Sequence, residues 1–181
     1  VREFIIDTCI EIVENYDVDA IHFDDYFYAN GIDDSETRAK YNTEGLSVSD
    51  FRRKQVDTFI YNLKLELDEF NNRNNRFVQL GISPTGVYKN ANSQTEANTP
   101  IEDYIFDSNG NLVYPTGATT GCQMHYESYL YCDTLKWVNN EWINYILPQT
   151  YWAQNHSLAP YERLINWWNQ AVSKKNVNLY A

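Results

Sequence analysis

Apolar and polar positions along this chain follow helical and strand spacing in turn. In the first helix, apolar residues recur at intervals of three and four: Ile6, Cys9, Ile10 and Val13. The predicted helices are Arg2 to about Asn15, a long helix from an N-cap at Ser47 or Ser49 to about Asn71, Tyr129–Asn139, and a helix that starts at Pro160. The predicted strands are Ala20–Asp25, Phe77–Ser83, Trp142–Gln149 and Val177–Tyr180.

Each predicted helix is followed by a predicted strand, and this order indicates parallel strands joined by right-handed crossovers. Four such units make half of a (β/α)8 barrel, whose usual length is about 250 residues. We therefore predict an α/β fold, a partial TIM barrel that forms one domain over residues 1–181. A doubly wound open sheet is the alternative, and the lack of a glycine-rich phosphate loop after any strand disfavours it. Because the first residue is not Met, we expect a piece excised from a longer chain.

Two long segments without a regular period follow the first and second strands, at residues 26–48 and 85–121. Structureless loops longer than about 15 residues are uncommon in compact domains unless they serve a site. In an α/β barrel the loops that follow the strands carry the active site. We therefore interpret 85–121 as a substrate-side loop, with a small element at Tyr104–Phe106.

The composition of the chain disfavours some classes of binding partner and suits others. The net charge of −11 argues against nucleic acid and against an electrostatic contact with anionic lipid. No run of 18 apolar residues is present, so no membrane span is predicted. Aromatic residues make up 15% of the chain, which suits stacking on sugars, although many rings fill space in barrels.

The three cysteines do not indicate a metal or cofactor site. Cys9 lies on the apolar stripe of the first helix and is expected to be packed there. Cys122 and Cys132 could pair, but an odd number of cysteines argues against a disulfide scaffold. The spacing of Cys, His and acidic residues fits no metal-ligand pattern, so no metal and no cofactor are predicted.

The first strand ends in the candidate catalytic residues. Side chains alternate along a strand, so His22 and Asp24 share one face, and that face ends in an acid. Asp24 is the predicted lumen-facing carboxylate, with a turn cap formed by Asp24 and Asp25 as the alternative. Asp25 points to the other face of a regular strand, so it is catalytic only if the chain twists, and otherwise it holds the Tyr26–Tyr28 loop. His22 is expected to bond Asp24 or a sugar hydroxyl, with a structural role equally open.

The remaining candidates are polar and aromatic residues near strand ends, predicted to bind substrate: His22, Tyr26, Tyr28, Arg53, Ser83, Asn90, Gln149, Tyr151 and Trp152. An amide such as Gln149 beside aromatic rings suits a neutral sugar, and we favour binding over packing for Gln149 and Trp152. Arg52 and Arg53 begin a helix, where the macrodipole disfavours positive charge. At least one of them is therefore expected to reach a carboxylate or the substrate, with a solvated face as the alternative.

Four segments together resemble a known family. They are residues 19–28 (DAIHFDDYFY), 51–56 (FRRKQV), 81–86 (GISPTG) with Asn90, and 148–152 (PQTYW). In this order and spacing they resemble the glycosyl hydrolase-like 10 family, also labelled DUF187, over nearly the whole chain. The sequence has Ala20, Ala29 and Phe51 where the family tends to have Gly, Pro and Trp, changes that conserve size or apolar character.

The resemblance implies strands 4 to 7 of a TIM barrel in a secreted or envelope-associated bacterial protein. It also implies cleavage of peptidoglycan glycan strands, with Asp24 at the strand end where related barrels carry the nucleophile. No Glu ends the second strand, where a general acid is often found, so the second acid is not identified. A carbohydrate-binding barrel without catalysis is the alternative, and an envelope scaffold is a third.

The resemblance assigns three earlier strands to the family's barrel, so we expect this piece to be inactive alone. Half a barrel exposes sheet edges and an apolar lumen, so a homodimer of the piece is also expected.

Overall fold

The four strands of the described residues form one parallel sheet whose order follows the chain, β1-β2-β3-β4. The structure is a computed structural model that describes residues 1–25, 27–28, 31–99, 106–112, 119–127 and 130–181. Its strands are β1 Ala20–Phe23, β2 Gln79–Ile82, β3 Tyr145–Ile146 and β4 Asn178–Leu179. Its helices are α1 Arg2–Asn15, α2 Ser35–Tyr41, α3 Val48–Asn74, α4 Gln94–Ala97, α5 Thr134–Asn139 and α6 Tyr161–Val172. The mixed α/β class and the parallel sheet are confirmed, and they are compatible with part of a barrel.

Helix α1 has the predicted bounds and buries Ile6, Cys9 and Val13 against the core. The long helix α3 begins at the predicted N-cap, where the hydroxyl of Ser47 accepts a hydrogen bond from the backbone N–H of Asp50 at 3.1 Å. It runs three residues beyond the predicted Asn71, to Asn74. Its C-cap, Asn75, has φ 49°, a left-handed conformation that Asn adopts more readily than most residues.

Helix α2 lies inside the segment predicted to be loop, so that prediction is wrong for Ser35–Tyr41. None of its residues is buried, which explains why no apolar period marks it in the sequence. The carboxylate of Asp33 accepts a hydrogen bond from the N–H of Ser35 at 3.0 Å, where the helix starts. This helix therefore has no buried apolar face, and the sequence gives no apolar period that would predict it.

The predicted Tyr129–Asn139 helix starts later than expected, at Thr134. Residues 128–129 lie outside the described part of the chain. Tyr131 has φ 51°, which is incompatible with a right-handed helix, and the Asp133 carboxylate caps the first turn by accepting from the N–H of Lys136. The prediction failed because a turn with capping chemistry precedes the apolar positions.

Strand β3 is much shorter than the predicted Trp142–Gln149. The side-chain oxygen of Asn144 accepts from the N–H of Leu80 at 2.8 Å and so takes the place of a backbone ladder bond. Pro148 has no N–H to donate. Beyond it, Gln149 pairs with Thr85 in an isolated parallel bridge, which keeps the ends of β2 and β3 together.

Helix α6 buries a wider face than the apolar spacing of its sequence indicates, since that spacing predicts a stripe of Tyr161, Leu164, Ile165, Trp168 and Val172. Its buried residues are Leu164, Trp167, Trp168, Ala171 and Val172. Trp167 is 1% exposed and stacks on the ring of Tyr88, with ring centroids 5.9 Å apart. The loop that follows β2 therefore covers a second side of this helix, which a single-helix period does not reveal.

The three cysteines are free thiols, so a Cys122–Cys132 pair is not formed. Cys9 and Cys132 are buried, and Cys9 packs in the α1 stripe as predicted. Within the described residues, no helix combines the length and the apolar character needed to span a membrane.

Candidate active site

The side chains of Asp24 and Gln149 meet at the carboxyl end of the sheet. The Gln149 amide nitrogen Nε2 donates to Asp24 Oδ1 at 2.7 Å and to the backbone carbonyl of Ser83 at 2.9 Å. Asp24 follows β1, Ser83 follows β2 and Gln149 follows β3. The Gln149 side chain thus joins the ends of three consecutive strands, and one of its hydrogen bonds is to the Asp24 carboxylate. The catalytic role of Asp24 stays a prediction.

Asp25 is half-buried beside Asp24, and its backbone N–H donates to Asp24 Oδ1 at 2.9 Å. Burial and the adjacent charge of Asp24 raise the pKa of the Asp25 carboxyl. Burial also raises the pKa of the Cys132 thiol, and the charge of Asp25 adds to this effect. Asp25 is therefore the more buried of the two carboxylates, while Asp24 is exposed.

His22 lies on the exposed face of β1, where its ring stacks on Tyr145 with centroids 5.6 Å apart. Its Nδ1 is 3.1 Å from the Tyr145 hydroxyl, so its bonding partner in the structure is Tyr145 and the expected bond to Asp24 is not formed. Gly81 makes room for this arrangement, because a Cβ there would lie 1.9 Å from the Tyr145 ring. A sugar contact for His22 stays a prediction.

Tyr28 belongs to a hydrogen-bonded cluster that we call the Asp34 cluster, which comprises Tyr28, Asp34, Arg38, Arg52 and Tyr131. The Tyr28 hydroxyl donates to Asp34 Oδ2 at 2.7 Å. Burial, together with the Asp34 carboxylate, raises the pKa of Tyr28 to about 12. The Tyr28 hydroxyl therefore bonds within the loop that follows β1, where Asp34 is its partner. Tyr26, also predicted to bind substrate, lies outside the described residues.

Both arginines at the start of α3 reach carboxylates, as the macrodipole argument required of at least one. Arg52 pairs with Asp34, and Arg53 donates to Asp50 at 2.6 Å. Arg53 also donates to the backbone carbonyl of Tyr126 at 3.0 Å and lies over its ring. Arg53 is 8% exposed, so it holds the loop before α5 rather than projecting into solvent.

Ser83 and Asn90, predicted to contact sugar hydroxyls, make contacts within the chain. The Ser83 hydroxyl donates to the carbonyl of Leu147 at 3.0 Å, which joins β2 and β3 beyond the ladder. The Asn90 amide donates to the Cys122 carbonyl at 2.6 Å and accepts from the Cys122 N–H at 3.1 Å. Asn90 therefore organises the loop that follows β2.

Two rings follow Gln149 at the same edge. Tyr151 is 83% exposed, and Trp152 is half-buried. The Trp152 ring lies against the backbone of Gly86, where an added Cβ would be 2.8 Å from the ring. Trp152 thus packs on one side, and Tyr151 projects into solvent two residues after Gln149 in the chain.

The family model of Glycosyl hydrolase-like 10 matches residues 1–181. The chain belongs to the glycosyl hydrolase-like 10 family. It is 32% identical over 185 residues to the glycosyl hydrolase YngK of Bacillus subtilis. That alignment covers 99% of this chain and 32% of YngK. It is 30% identical over 185 residues to the glycosyl hydrolase DigH of Escherichia coli K12, covering 99% of this chain and 36% of DigH. The chain spans about a third of the length of these curated relatives.

Sequence reasoning missed two residues of this glycosyl hydrolase-like 10 chain that shape the site. Asp34 is 4% exposed and anchors the loop after β1, yet it lies in a polar segment without a period. Tyr145 pairs with His22 on the sheet face. A glycine inside a strand often marks the close approach of a neighbouring group, so Gly81 was the available signal for a large ring on the next strand.

The site of this glycosyl hydrolase-like 10 chain consists of carboxylates, amides and rings. In the part of the chain that the structure describes, no group of three or more His, Cys, Asp or Glu side chains could hold a metal ion. The arrangement can present one exposed carboxylate, with its Oδ1 hydrogen-bonded, to a neutral polar ligand. This is the chemistry that one of the two carboxylates of a glycoside hydrolase provides.

Proposed function

We propose that the full-length protein is a glycoside hydrolase that cleaves bacterial cell-wall (peptidoglycan) glycan strands, and that this segment supplies the carboxylate of Asp24. The observation that carries the proposal is the convergence of three strand ends on Asp24, through the 2.7 Å bond from Gln149. Family membership and the names of the relatives support the class of reaction. In parallel α/β sheets, catalytic groups lie at this carboxyl end.

Asp24 acts as the nucleophile or base in this proposal. It is exposed, so a sugar can approach it, and two N–H groups donate to one of its oxygens and stabilise its negative charge. Asp25 is the candidate proton holder, because burial and the charge of Asp24 raise its pKa. Two neighbouring carboxyl groups whose environments differ in this way can divide the acid and base roles.

A neutral or weakly charged glycan suits the site. The net charge of −11 disfavours polyanionic substrates, and peptide-free glycan strands are the less charged part of the cell wall. The exposed ring of Tyr151 and the half-buried ring of Trp152 offer apolar faces for sugars next to polar groups. Action on the cell wall also implies a location outside the cytoplasm for the full-length protein.

A non-catalytic carbohydrate-binding barrel is the second candidate. It is favoured by the residues that follow the next two strands, which are the neutral Ser83 and Gln149 rather than acids. A site with one carboxylate at the strand ends and several hydrogen-bonding and aromatic groups can bind a sugar without cleaving it. In that case, Trp152→Ala weakens binding and turnover is zero in every variant.

The deciding experiment measures new reducing ends released from peptide-free glycan strands by the full-length protein. We expect Asp24→Asn to lower kcat at least about a thousandfold, because it removes a reacting carboxylate. Asp7→Asn is the matched control, since Asp7 is exposed on α1 and the same chemical change there leaves turnover unchanged. Equal activity of Asp24→Asn and wild type removes Asp24 from the mechanism. Binding of glycan without turnover supports the non-catalytic carbohydrate-binding barrel. Failure to bind any glycan supports a scaffold role.

A further inference from the structure

The side chain of Gln149 is held at both of its amide hydrogens. A primary amide has two N–H donors, and Nε2 of Gln149 directs one to Asp24 Oδ1 and the other to the Ser83 carbonyl. The Ser83 carbonyl belongs to the backbone at the end of β2, which is not free to rotate. The second bond therefore fixes the direction of the first.

The backbone of Gln149 is also fixed. Its N–H donates to the Pro84 carbonyl at 2.9 Å, and it forms the bridge with Thr85. A Cβ on Gly86 would lie 2.7 Å from the Gln149 carbonyl oxygen, so the two backbones are in close contact. Gln149 is thus attached to the end of β2 through main chain and side chain together.

This attachment has a specific consequence for Asp24. Gln149 Nε2 and the Asp25 N–H both donate to Oδ1, at 2.7 Å and 2.9 Å. Among the described residues, every N–H group that donates to the Asp24 carboxylate donates to Oδ1. The two carboxylate oxygens, which are equivalent in water, are therefore distinguished here, and Oδ2 is the oxygen that no N–H group occupies.

We propose that Gln149 is a positioning residue, which fixes the rotamer of Asp24 and directs Oδ2 toward the substrate. The proposal rests on the proposed function, in which Asp24 is the reacting carboxylate. It gives Gln149 a role through Asp24 and not only through a sugar hydroxyl. Positioning of this kind contributes to rate because a reacting atom held in place loses less entropy at the transition state.

Two substitutions separate positioning from plain binding. Gln149→Met keeps the length of the side chain but removes both N–H donors. We expect kcat to fall about tenfold to hundredfold, which corresponds to the loss of a hydrogen bond to a charged group. KM should stay within about twofold of the wild-type value. Gln149→Glu keeps the shape but places a second carboxylate beside Asp24. At neutral pH the two charges repel, whereas at acidic pH the introduced carboxyl takes up a proton and donates again.

The experiment measures kcat and KM of the full-length protein on peptide-free glycan strands from roughly pH 4 to pH 8, because a carboxyl pair that shares a proton gains charge as the pH rises. We expect Gln149→Glu to lose activity at neutral pH and to recover it toward acidic pH. Gln55→Glu is the matched control, because Gln55 is half-buried on α3, where it bonds Arg2, and the same change there leaves the profile like that of wild type. A rise in KM with kcat unchanged, or a Gln149→Glu profile parallel to wild type, overturns the proposal.

A second measurement does not depend on turnover. Scalar couplings that report the χ1 angle of Asp24 indicate a single rotamer in the wild type and rotamer averaging in Gln149→Met. If the wild type cleaves no glycan but the couplings change in this way, the proposed function fails and the positioning stands. Averaged couplings in the wild type overturn the positioning, whatever the activity.

Discussion

Arg52 binds the carboxylate of Asp34 through two parallel hydrogen bonds, from Nε to Oδ2 and from Nη2 to Oδ1, both 2.8 Å long. Planar fork-to-fork pairs of this kind are among the stronger polar contacts in proteins. The pair joins the loop after β1 to the start of α3. A third bond, from Arg52 Nη1 to the Tyr131 hydroxyl at 3.0 Å, adds the segment before α5.

Removing the charge of Asp34 should therefore cost stability. Asp34 is 4% exposed, so Asp34→Asn leaves Arg52 poorly paired in a mostly buried setting, and we expect the free energy of unfolding to fall by about 3 kcal/mol. Denaturant titration at pH 7 measures it. The exposed Lys54–Glu44 pair is the control, because breaking it with Glu44→Gln costs less than about 1 kcal/mol. Equal costs at the two sites contradict the prediction.

The same contact gives a pH dependence. Hydrogen bonds from Arg52 hold the pKa of Asp34 well below its ordinary 3.8. A carboxyl whose folded-state pKa is depressed stabilises the fold above the ordinary value, and this stabilisation is lost as the pH falls toward the folded-state pKa. The difference between wild type and Asp34→Asn should be full at pH 7 and shrink below about pH 4.

Gly81 and Tyr145 should be energetically coupled. A Cβ on Gly81 would lie 1.9 Å from the Tyr145 ring, so Gly81→Ala forces the ring off the sheet face and costs about 1–3 kcal/mol. With Tyr145→Ala already present, the same change should cost much less. A double-mutant cycle of unfolding free energies measures the coupling. If the costs of Gly81→Ala and Tyr145→Ala simply add in the double mutant, the two residues are not coupled and the prediction is contradicted.

His125 should make stability fall on mild acidification. It is fully buried, its Nδ1 donates to the Thr85 carbonyl at 2.9 Å and its Nε2 accepts from the Thr134 hydroxyl at 2.7 Å. Burial lowers the pKa of His125 to about 3, from an ordinary 6.5. The unfolded chain takes up this proton first, so stability is lost as the pH falls below 6.5, at up to about 1.4 kcal/mol per pH unit.

Unfolding measurements between pH 7 and pH 5, made in parallel on the wild type and on His125→Asn, isolate the contribution of His125. His125→Asn keeps a donor near the Nδ1 position and lacks a titratable ring. We expect it to be less stable at pH 7 and to have a shallower dependence on pH. An unchanged slope would assign the dependence to another group.

Asp25 should lower stability in the wild type at neutral pH. Burial and the charge of Asp24 raise its pKa, and a carboxyl with a raised folded-state pKa destabilises the fold once the pH exceeds its ordinary 3.8. Asp25→Asn should therefore unfold at a higher denaturant concentration at pH 7, and the gain should vanish at acidic pH. Asp107→Asn is the contrast, because hydrogen bonds from Asn111 lower the pKa of Asp107, so its loss destabilises. A loss of stability in Asp25→Asn contradicts the prediction.

The sequence predicted those parts of the fold that depend on one element at a time. The apolar spacing of α1 gave its bounds, and alternation along β1 indicated that His22 and Asp24 share a face. Parallel topology also explains why Asp24 and Gln149 lie at the same edge of the sheet, since the carboxyl ends of all parallel strands lie there, although β2 separates the two strands. These inferences need no knowledge of what packs opposite each residue.

The parts that were missed depend on partners distant in the chain. The His22–Tyr145 stack requires the β2–β3 register that sets Gly81 beside Tyr145. The burial of Trp167 requires Tyr88, from a loop whose path the sequence does not indicate. Polar residues such as Asn90 were predicted to face a ligand, yet backbone groups of their own loop satisfy them. The sequence alone does not show whether the hydrogen-bond partner of a polar side chain is a ligand or the protein's own backbone.

The order of strands in the sheet is the order of their synthesis. Each strand pairs with the one made just before it, so a nascent chain can extend the sheet by one unit at a time, without threading between strands already in place. An insertion after β2 lengthens a crossover and leaves every ladder intact. The loops at the carboxyl end of the sheet can therefore change in length and sequence while the pairing of the strands stays the same.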